Sequence, residues 1–339
     1  MARINQVKGA LLEEVILFLL RGSGFQTVTA PDNDATLRMG PAGMLVKGRG
    51  SEHQIDAIAD FRIGHPFSHP PRLLVEAKAY AHRNSIQLPL IHNAVGVLKD
   101  VDEFWNPGDE VNGPNRRRHH YHYALFSTSR FSRDAQEYAF AHDIYLFPVG
   151  ETAFLHPIVD ALENIREAAV PPNLNLRQLR EDLRGRLYED QRLQYDLRDA
   201  NDYLQPLTEA CRRVGKSLLG MLNRSFPVFL VPSDPQTIQT LQAIEDVRIF
   251  FDNRGWYLRR RDENVDLFSF DLPVELFNLY ADKGILSRAG ALNLKAEWMG
   301  EIHAYIADAE GGGVRLTTFR LDMGWLQRLR EGRNRRQHL

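Results

Sequence analysis

Residues 72–80, RLLVEAKAY, restrict the fold more than any other stretch of the chain. The continuous apolar start of this segment suits a strand covered on both faces, that is, a central strand of a layered sheet. Just before it, HQIDAIADF at 53–61 alternates Ile55, Ala57, Ala59 and Phe61 with Asp56, Ile58 and Asp60. That is the two-residue period of a strand. The loop GHPFSHPP joins the two segments, so they form a hairpin or near neighbours in one sheet. Upstream, residues 9–21 are strongly apolar with Glu13 and Glu14 inside, and RGSGF follows, where Gly22 and Gly24 stop a helix. A short strand is expected at 43–47. From Ser85 onward, Leu88, Ile91, Val95 and Leu98 recur at helical spacing, with Pro89 suited to a first turn. YALFST then reads as a strand, FSRDAQEYAFAHD as a helix opened by Ser132, and IYLFPV as a strand. This alternation predicts an α/β fold, a mixed sheet flanked by helices, spanning residues 1–155.

The length of 339 residues suits about two domains. Pro171 and Pro172 mark a boundary, and residues 176–223, rich in Leu, Arg, Glu and Asp, read as a long helix or helical hairpin within a linker at 172–225. Residues 226–339 read as a small α+β domain of recognition, regulation or dimerisation, with strands at 228–231, 247–252, 256–260 and 265–270. A late pair flanks Gly311, Gly312 and Gly313. The longest apolar run, residues 15–20, is far shorter than the roughly 20 residues of a membrane span, and MARINQVKG lacks a secretory pattern. A single cysteine, Cys211, excludes an internal disulfide and a multi-thiolate zinc site. A cytoplasmic protein with no membrane partner is the expectation.

The formal charge of −2 does not announce a nucleic-acid binder, so any phosphate contact has to come from local clusters. Arg116, Arg117 and Arg118 with His119 and His120 form one cluster; Arg259, Arg260 and Arg261 another; Arg328, Arg330, Arg333, Arg335 and Arg336 a third. Each is either a phosphate surface or a solvated loop. HHYH at 119–122 reads as part of an exposed basic loop rather than a metal site. Phe250, Phe251, Trp256 and Tyr257 read as core of short strands, with base stacking as the alternative.

No phosphate-binding Gly-x-x-x-x-Gly-Lys loop, serine nucleophile elbow or His-Glu-x-x-His pair is present. What the chain does carry is Asp56 on one strand and Glu76 with Lys78 on the next, two residues apart and so on one face. Phosphodiester hydrolysis needs an activated water and neutralisation of phosphate charge, which a carboxylate-held Mg2+ supplies. Asp56, Glu76 and the backbone carbonyl of Ala77 offer it oxygen ligands, Mn2+ being a substitute, and Lys78 would stand beside the bound water. His53 and Gln54 flank the first acid and Gln87 and Asn93 lie on the following helix, all as candidate substrate contacts. Asp60, four positions after Asp56, is either an alternative ligand or a solvated strand end.

An acid, a gap of 20 positions and then Glu-Ala-Lys on an apolar strand resembles the PD-(D/E)xK nuclease superfamily, in particular Mrr-like restriction endonucleases. The approach through Gly48 and Gly50 and the later FSTSRFSRDAQEYAFAHDIYLF belong to the same pattern, over about residues 8–150. Gln54-Ile55-Asp56 stands where many members have Pro-Asp. The resemblance implies a glutamate of the first helix near the metal, Glu13 or failing that Glu14, and a glutamate buried in an apolar helix needs a partner or an ion in any case. It also implies a Mg2+-dependent DNA endonuclease of restriction or anti-phage defence, leaving 5′-phosphate ends, with a homodimer and a defence partner protein as candidate associations. Two readings stay open beside it: a catalytically silent nuclease-fold binding or regulatory module, and a nuclease effector gated by a sensing carboxy-terminal domain.

Overall fold

The computed structural model describes residues 2–32, 34–41, 43–61, 69–80, 84–104, 119–171, 173–188, 202–215, 217–234, 236–253, 255–281, 287–307 and 314–337. Arg116 to Arg118, most of the loop after Phe61, Gly311 to Gly313 and the side chains of Arg333, Arg335 and Arg336 lie outside the described residues. The chain divides into two compact units, Met1–Gly215 and Lys216–Leu339.

The first unit is built on α1 (Ala2–Gly22), whose apolar residues point in every direction. Val7, Leu11, Leu12, Val15 and Ile16 are all fully buried. A helix apolar all round has to be covered all round. A sheet covers one side, and α4 (His156–Asn164), α5 (Leu176–Leu187) and α6 (Gln205–Val214) cover the other. Each large aliphatic side chain hidden this way contributes roughly 1.5–3 kcal/mol. The helix ends at Gly22, and Gly24, at a φ of 86°, turns the chain back into the sheet.

That sheet has five strands in the order β1 (Phe25–Val28), β5 (Ala57–Phe61), β6 (Pro71–Lys78), β8 (His120–Ser127) and β10 (Ile144–Pro148). β1 and β6 run antiparallel to β5, whereas β8 runs parallel to β6 and β10 to β8. The expected hairpin of β5 and β6 is present, and β6 lies at the centre. Its apolar residues are covered by α1 on one face and by α2 (Leu88–Asp102) on the other, where Leu74 packs with Ile91, Ala94 and Val97. α3 (Arg133–Ala141) joins α2 on that face, capped by the Ser132 hydroxyl, which accepts from the Ala135 N–H at 3.3 Å. A separate small sheet of β2 (Leu37–Met39), β3 (Met44–Lys47) and β4 (Glu52–Ile55) precedes β5, and β7 (Ser85–Ile86) pairs with β9 (Arg130–Phe131).

Three expectations change here. Residues 119–122 are not a loop: β8 begins at His120, and His122 lies largely within the sheet, its pKa pushed down to about 4 by burial and by His120 against the pull of Asp143. Of the region at 176–223, the described residues form two helices, within the hairpin alternative, and then a strand, and both helices pack on α1 within the first unit rather than forming a linker. The buried face of α2 is Ile91, Ala94, Val97 and Val101, with Val95 and Leu98 at its margin.

In the second unit the strands expected as α+β close into a barrel. Its order is β11 (Leu218–Leu222), β12 (Phe226–Pro232), β15 (Asp266–Phe270), β14 (Gly255–Arg260), β13 (Ile244–Asp252), β17 (Val314–Leu321) and β16 (Glu301–Ala307), which returns to β11. α7 (Thr237–Thr240), α8 (Val274–Ala281), α9 (Arg288–Trp298) and α10 (Met323–Gln337) accompany it. Closure removes both sheet edges. Arg259, Arg260 and Arg261 are not a free cationic patch, since each meets a carboxylate, on Asp266, Glu245 and Asp246 respectively. Trp256 and Tyr257 are buried, while Phe251 is half-exposed.

Among the described residues no helix is long and apolar enough to cross a membrane.

Candidate active site

The carboxyl end of β6 and the amino end of β5 meet where the chain passes from the small sheet to the large one. Asp56 occupies the bend between β4 and β5, one residue beyond the last β5–β6 pair, Ala57 with Val75. With no opposing strand residue, the Ala77 N–H donates to Asp56 Oδ2 at 2.8 Å. Asp56 Oδ1 has no partner among the described residues. The N–H and C=O of one residue in an extended strand project to the same flank, so the Ala77 carbonyl lies on the Asp56 side of β6.

Glu76 and Lys78 share one face of β6, and Lys78 Nζ is 2.7 Å from Glu76 Oε1. The other carboxylate oxygen, Oε2, accepts from the Tyr123 hydroxyl of β8 at 2.8 Å. Burial works against the Lys78 ammonium, but Glu76 and Asp56 outweigh it and hold its pKa above the ordinary lysine value. Burial raises the pKa of Asp56, with Glu76 adding to the rise and the Ala77 N–H, Lys78 and Arg180 opposing it. Burial and Glu76 also push the Tyr123 phenol upward.

On the α1 side, Glu13 and Glu14 divide. Glu13 is the one whose charge reaches Asp56, and it accepts from Arg180 of α5 through Nη2 at 2.6 Å and Nε at 3.1 Å. Burial lifts its pKa to about 7, with Arg180 pulling down and Asp56 and Glu14 pushing up. Glu14, only 3% exposed, is held by Arg184 through two hydrogen bonds of 2.6 and 2.9 Å. Guanidinium groups one helical turn apart on α5 thus face both glutamates, and at Glu13 the pairing offsets only part of the burial cost.

A cleft of about 230 Å3 opens beside this cluster, lined by Glu52, His53, Gln54, Ile55, Asp56, Glu76, Asn93, Val97 and Tyr123. His53 borders it, yet its Nε2 is 2.7 Å from Asp100 Oδ2 of α2, and Asp100 Oδ1 accepts from the Gly50 N–H at 2.7 Å. The glycines before the first acid therefore make room for Asp100: a Cβ on Gly48 would sit 2.0 Å from its carboxylate. Gln54 and Asn93 are exposed at the cleft. Gln87 lies outside it and donates to the Ser85 carbonyl at 3.2 Å. Asp60 is neither ligand nor solvated end: Arg72, 3% exposed, binds it through Nε at 2.7 Å and Nη2 at 2.9 Å and also meets Asp34 at 2.7 Å.

Sequence reasoning missed Arg180, Arg184 and Tyr123. Nothing local marks them, since Arg180 is 167 positions from Glu13 and Tyr123 is 47 from Glu76.

The donor chemistry fits a hard divalent cation. Glu76 raises the cost of the charge on Asp56, Asp56 Oδ1 is open, and the Ala77 carbonyl flanks them. Among the described residues no group of three or more His, Cys, Asp or Glu side chains stands together as a metal cage.

No family model matches the chain, and no curated protein is found similar to it. Two solved structures superpose loosely. The crystal structure of AF1548, a protein of unknown function, is 18% identical at a TM-score of 0.27, covering 51% of this chain and 92% of that one. The MspJI restriction endonuclease in complex with a 27-mer oligonucleotide has the same identity and TM-score, over 51% of this chain and 35% of that one. A superposition that loose assigns neither a fold family nor a function.

Proposed function

We propose that the first unit is a Mg2+-dependent nuclease that hydrolyses phosphodiester bonds in DNA, acting as an endonuclease in restriction or defence. The observation that carries the reading is the meeting of Asp56, Glu76 and Lys78 at one sheet end, with the Ala77 N–H fixing Asp56 at 2.8 Å and Lys78 2.7 Å from Glu76. Asp56, Glu76 and the Ala77 carbonyl would hold the ion, which when bound supplies positive charge to the phosphate and a water of lowered pKa.

The chain's own groups do the rest. Hydrolysis joins a water oxygen to phosphorus, breaks the bond to the 3′ oxygen, and delivers a proton to that oxygen. Lys78, kept cationic by its carboxylate neighbours, orients the attacking water and offsets charge gathering on the phosphate. Asp56 keeps its orientation because the Ala77 N–H holds one oxygen, which leaves the other to the ion. Gln54 and Asn93 stand at the mouth of the cleft as contacts for the strand being cut.

Purified protein with Mg2+ should nick or linearise a supercoiled plasmid, EDTA should stop it, and Lys78→Ala and Asp56→Ala should lower the rate by 10²-fold or more. Cutting that persists in both variants would remove the reading. A second reading, a silent nuclease-fold module, draws on one observation: Lys78 on Glu76 and Arg180 on Glu13 already neutralise two of the three carboxylates. It requires that no Mn2+ binds.

A further inference from the structure

We infer that Tyr123 is a positioning residue of this site, the fixed donor that holds Glu76 in its ion-binding orientation. The inference rests on the nuclease reading and extends it to a residue outside the acidic and basic set.

Glu76 is gripped at both oxygens, and the two grips differ in kind. Lys78 takes Oε1 with an ammonium at 2.7 Å, and Tyr123 takes Oε2 with a phenol hydroxyl at 2.8 Å. A cation arriving at Glu76 repels the first donor and not the second. An ion held at Glu76 would push the Lys78 ammonium off this oxygen. The phenol is neutral, so its hydrogen bond persists and polarises further when the carboxylate is ligated. Tyr123 is also rigidly seated. It is 3% exposed, packs in the core between the sheet and α2, and is carried by β8, which pairs with β6 along its whole length. It lines the cleft together with Ile55, Asp56 and Glu76. Outer partners of this kind fix the orientation of a ligating carboxylate, and losing one typically costs about 10–100-fold in metal affinity.

Tyr123→Phe keeps the ring and its packing and deletes only the donor. The measurement is calorimetric titration of Mn2+ into metal-free protein, for the wild type, Tyr123→Phe, Glu76→Gln and the double variant, beside plasmid cleavage at rising Mg2+. Mn2+ affinity should fall about 10–100-fold in Tyr123→Phe. The Mg2+ concentration for half-maximal cleavage should rise by the same factor, with the rate at saturating Mg2+ within about twofold of wild type. In the Glu76→Gln background the Tyr123→Phe change should cost nothing further, because the two residues act as one unit. A general loss of packing would instead lower thermal stability and leave the Mn2+ affinity unchanged. Wild-type affinity in Tyr123→Phe, or an equal loss in the Glu76→Gln background, overturns the role of Tyr123 and leaves the nuclease reading standing. A wild type that binds no Mn2+ removes both.

Discussion

Replacing Glu13 by Gln should change how stability depends on pH, in a direction the structure fixes. The Glu13 side chain is 17% exposed, and its pKa in the fold rises from an ordinary 4.5 to about 7, first by burial and then by Asp56 and Glu14, against Arg180. Between those two values the folded chain holds a proton that the unfolded chain has released. Stability therefore falls as pH climbs from 4.5 through 7 and levels off above. At about 1.4 kcal/mol per pH unit, the ionised carboxylate costs the fold about 3 kcal/mol at pH 8. The assay is urea unfolding of wild type and Glu13→Gln in EDTA at half-unit steps from pH 4.5 to 8.5. His122 contributes an opposite slope below pH 6.5, so the difference between the two proteins is the quantity to read. That difference should move by about 3 kcal/mol in favour of Glu13→Gln between pH 4.5 and 8, on top of a constant offset for the Arg180 partner that Gln replaces. Parallel profiles would refute the account, since they would mean that Glu13 titrates in the fold as it does in the unfolded chain.

Arg184→Ala would strand Glu14 at 3% exposure without its guanidinium, and unfolding titrations should show a loss of about 3–5 kcal/mol, most of it recovered when Glu14→Leu is combined with Arg184→Met. His122, pushed down to about 4 and so neutral in the fold, should make the chain lose stability as pH falls from 6.5 through 4; His122→Phe should flatten that limb of the urea profile. Lys295 sits 5.6 Å from the Trp256 and Trp325 rings, with no carboxylate beside it among the described residues, and burial pulls its pKa down to about 8. Lys295→Met should therefore raise stability at pH 7 by about 3 kcal/mol, the surplus fading between pH 8 and 10.5, where the wild-type amine is neutral in the fold while the unfolded chain still holds its proton.

The parts of this protein legible in its sequence are those set by neighbours along the chain. The two-residue period announces β5, the unbroken apolar run announces β6 at the sheet centre, and the spacing of Glu76 and Lys78 puts both on one face. The Ser132 cap and the stop at Gly22 are likewise local. What escaped is whatever distant segments decide. HHYH resembles a basic loop until β6 and β10 enclose it as a strand, and Asp60 resembles a solvated end until Arg72 closes on it. The arginine triplet at 259–261 resembles a cationic patch until the barrel lays an acidic partner against each member. Barrel closure itself depends on β11 finding β16, about 80 residues later, and nothing in either strand alone announces it.

The clamp between α1 and α5 bears on how the protein comes into being. During synthesis Glu13 and Glu14 leave the ribosome some 170 positions ahead of Arg180 and Arg184. Until then the amino-terminal helix carries two acids it cannot bury and an apolar back with nothing over it. A fragment cut near residue 155 would keep every proposed metal ligand and still lack the cover that lets its own first helix dock.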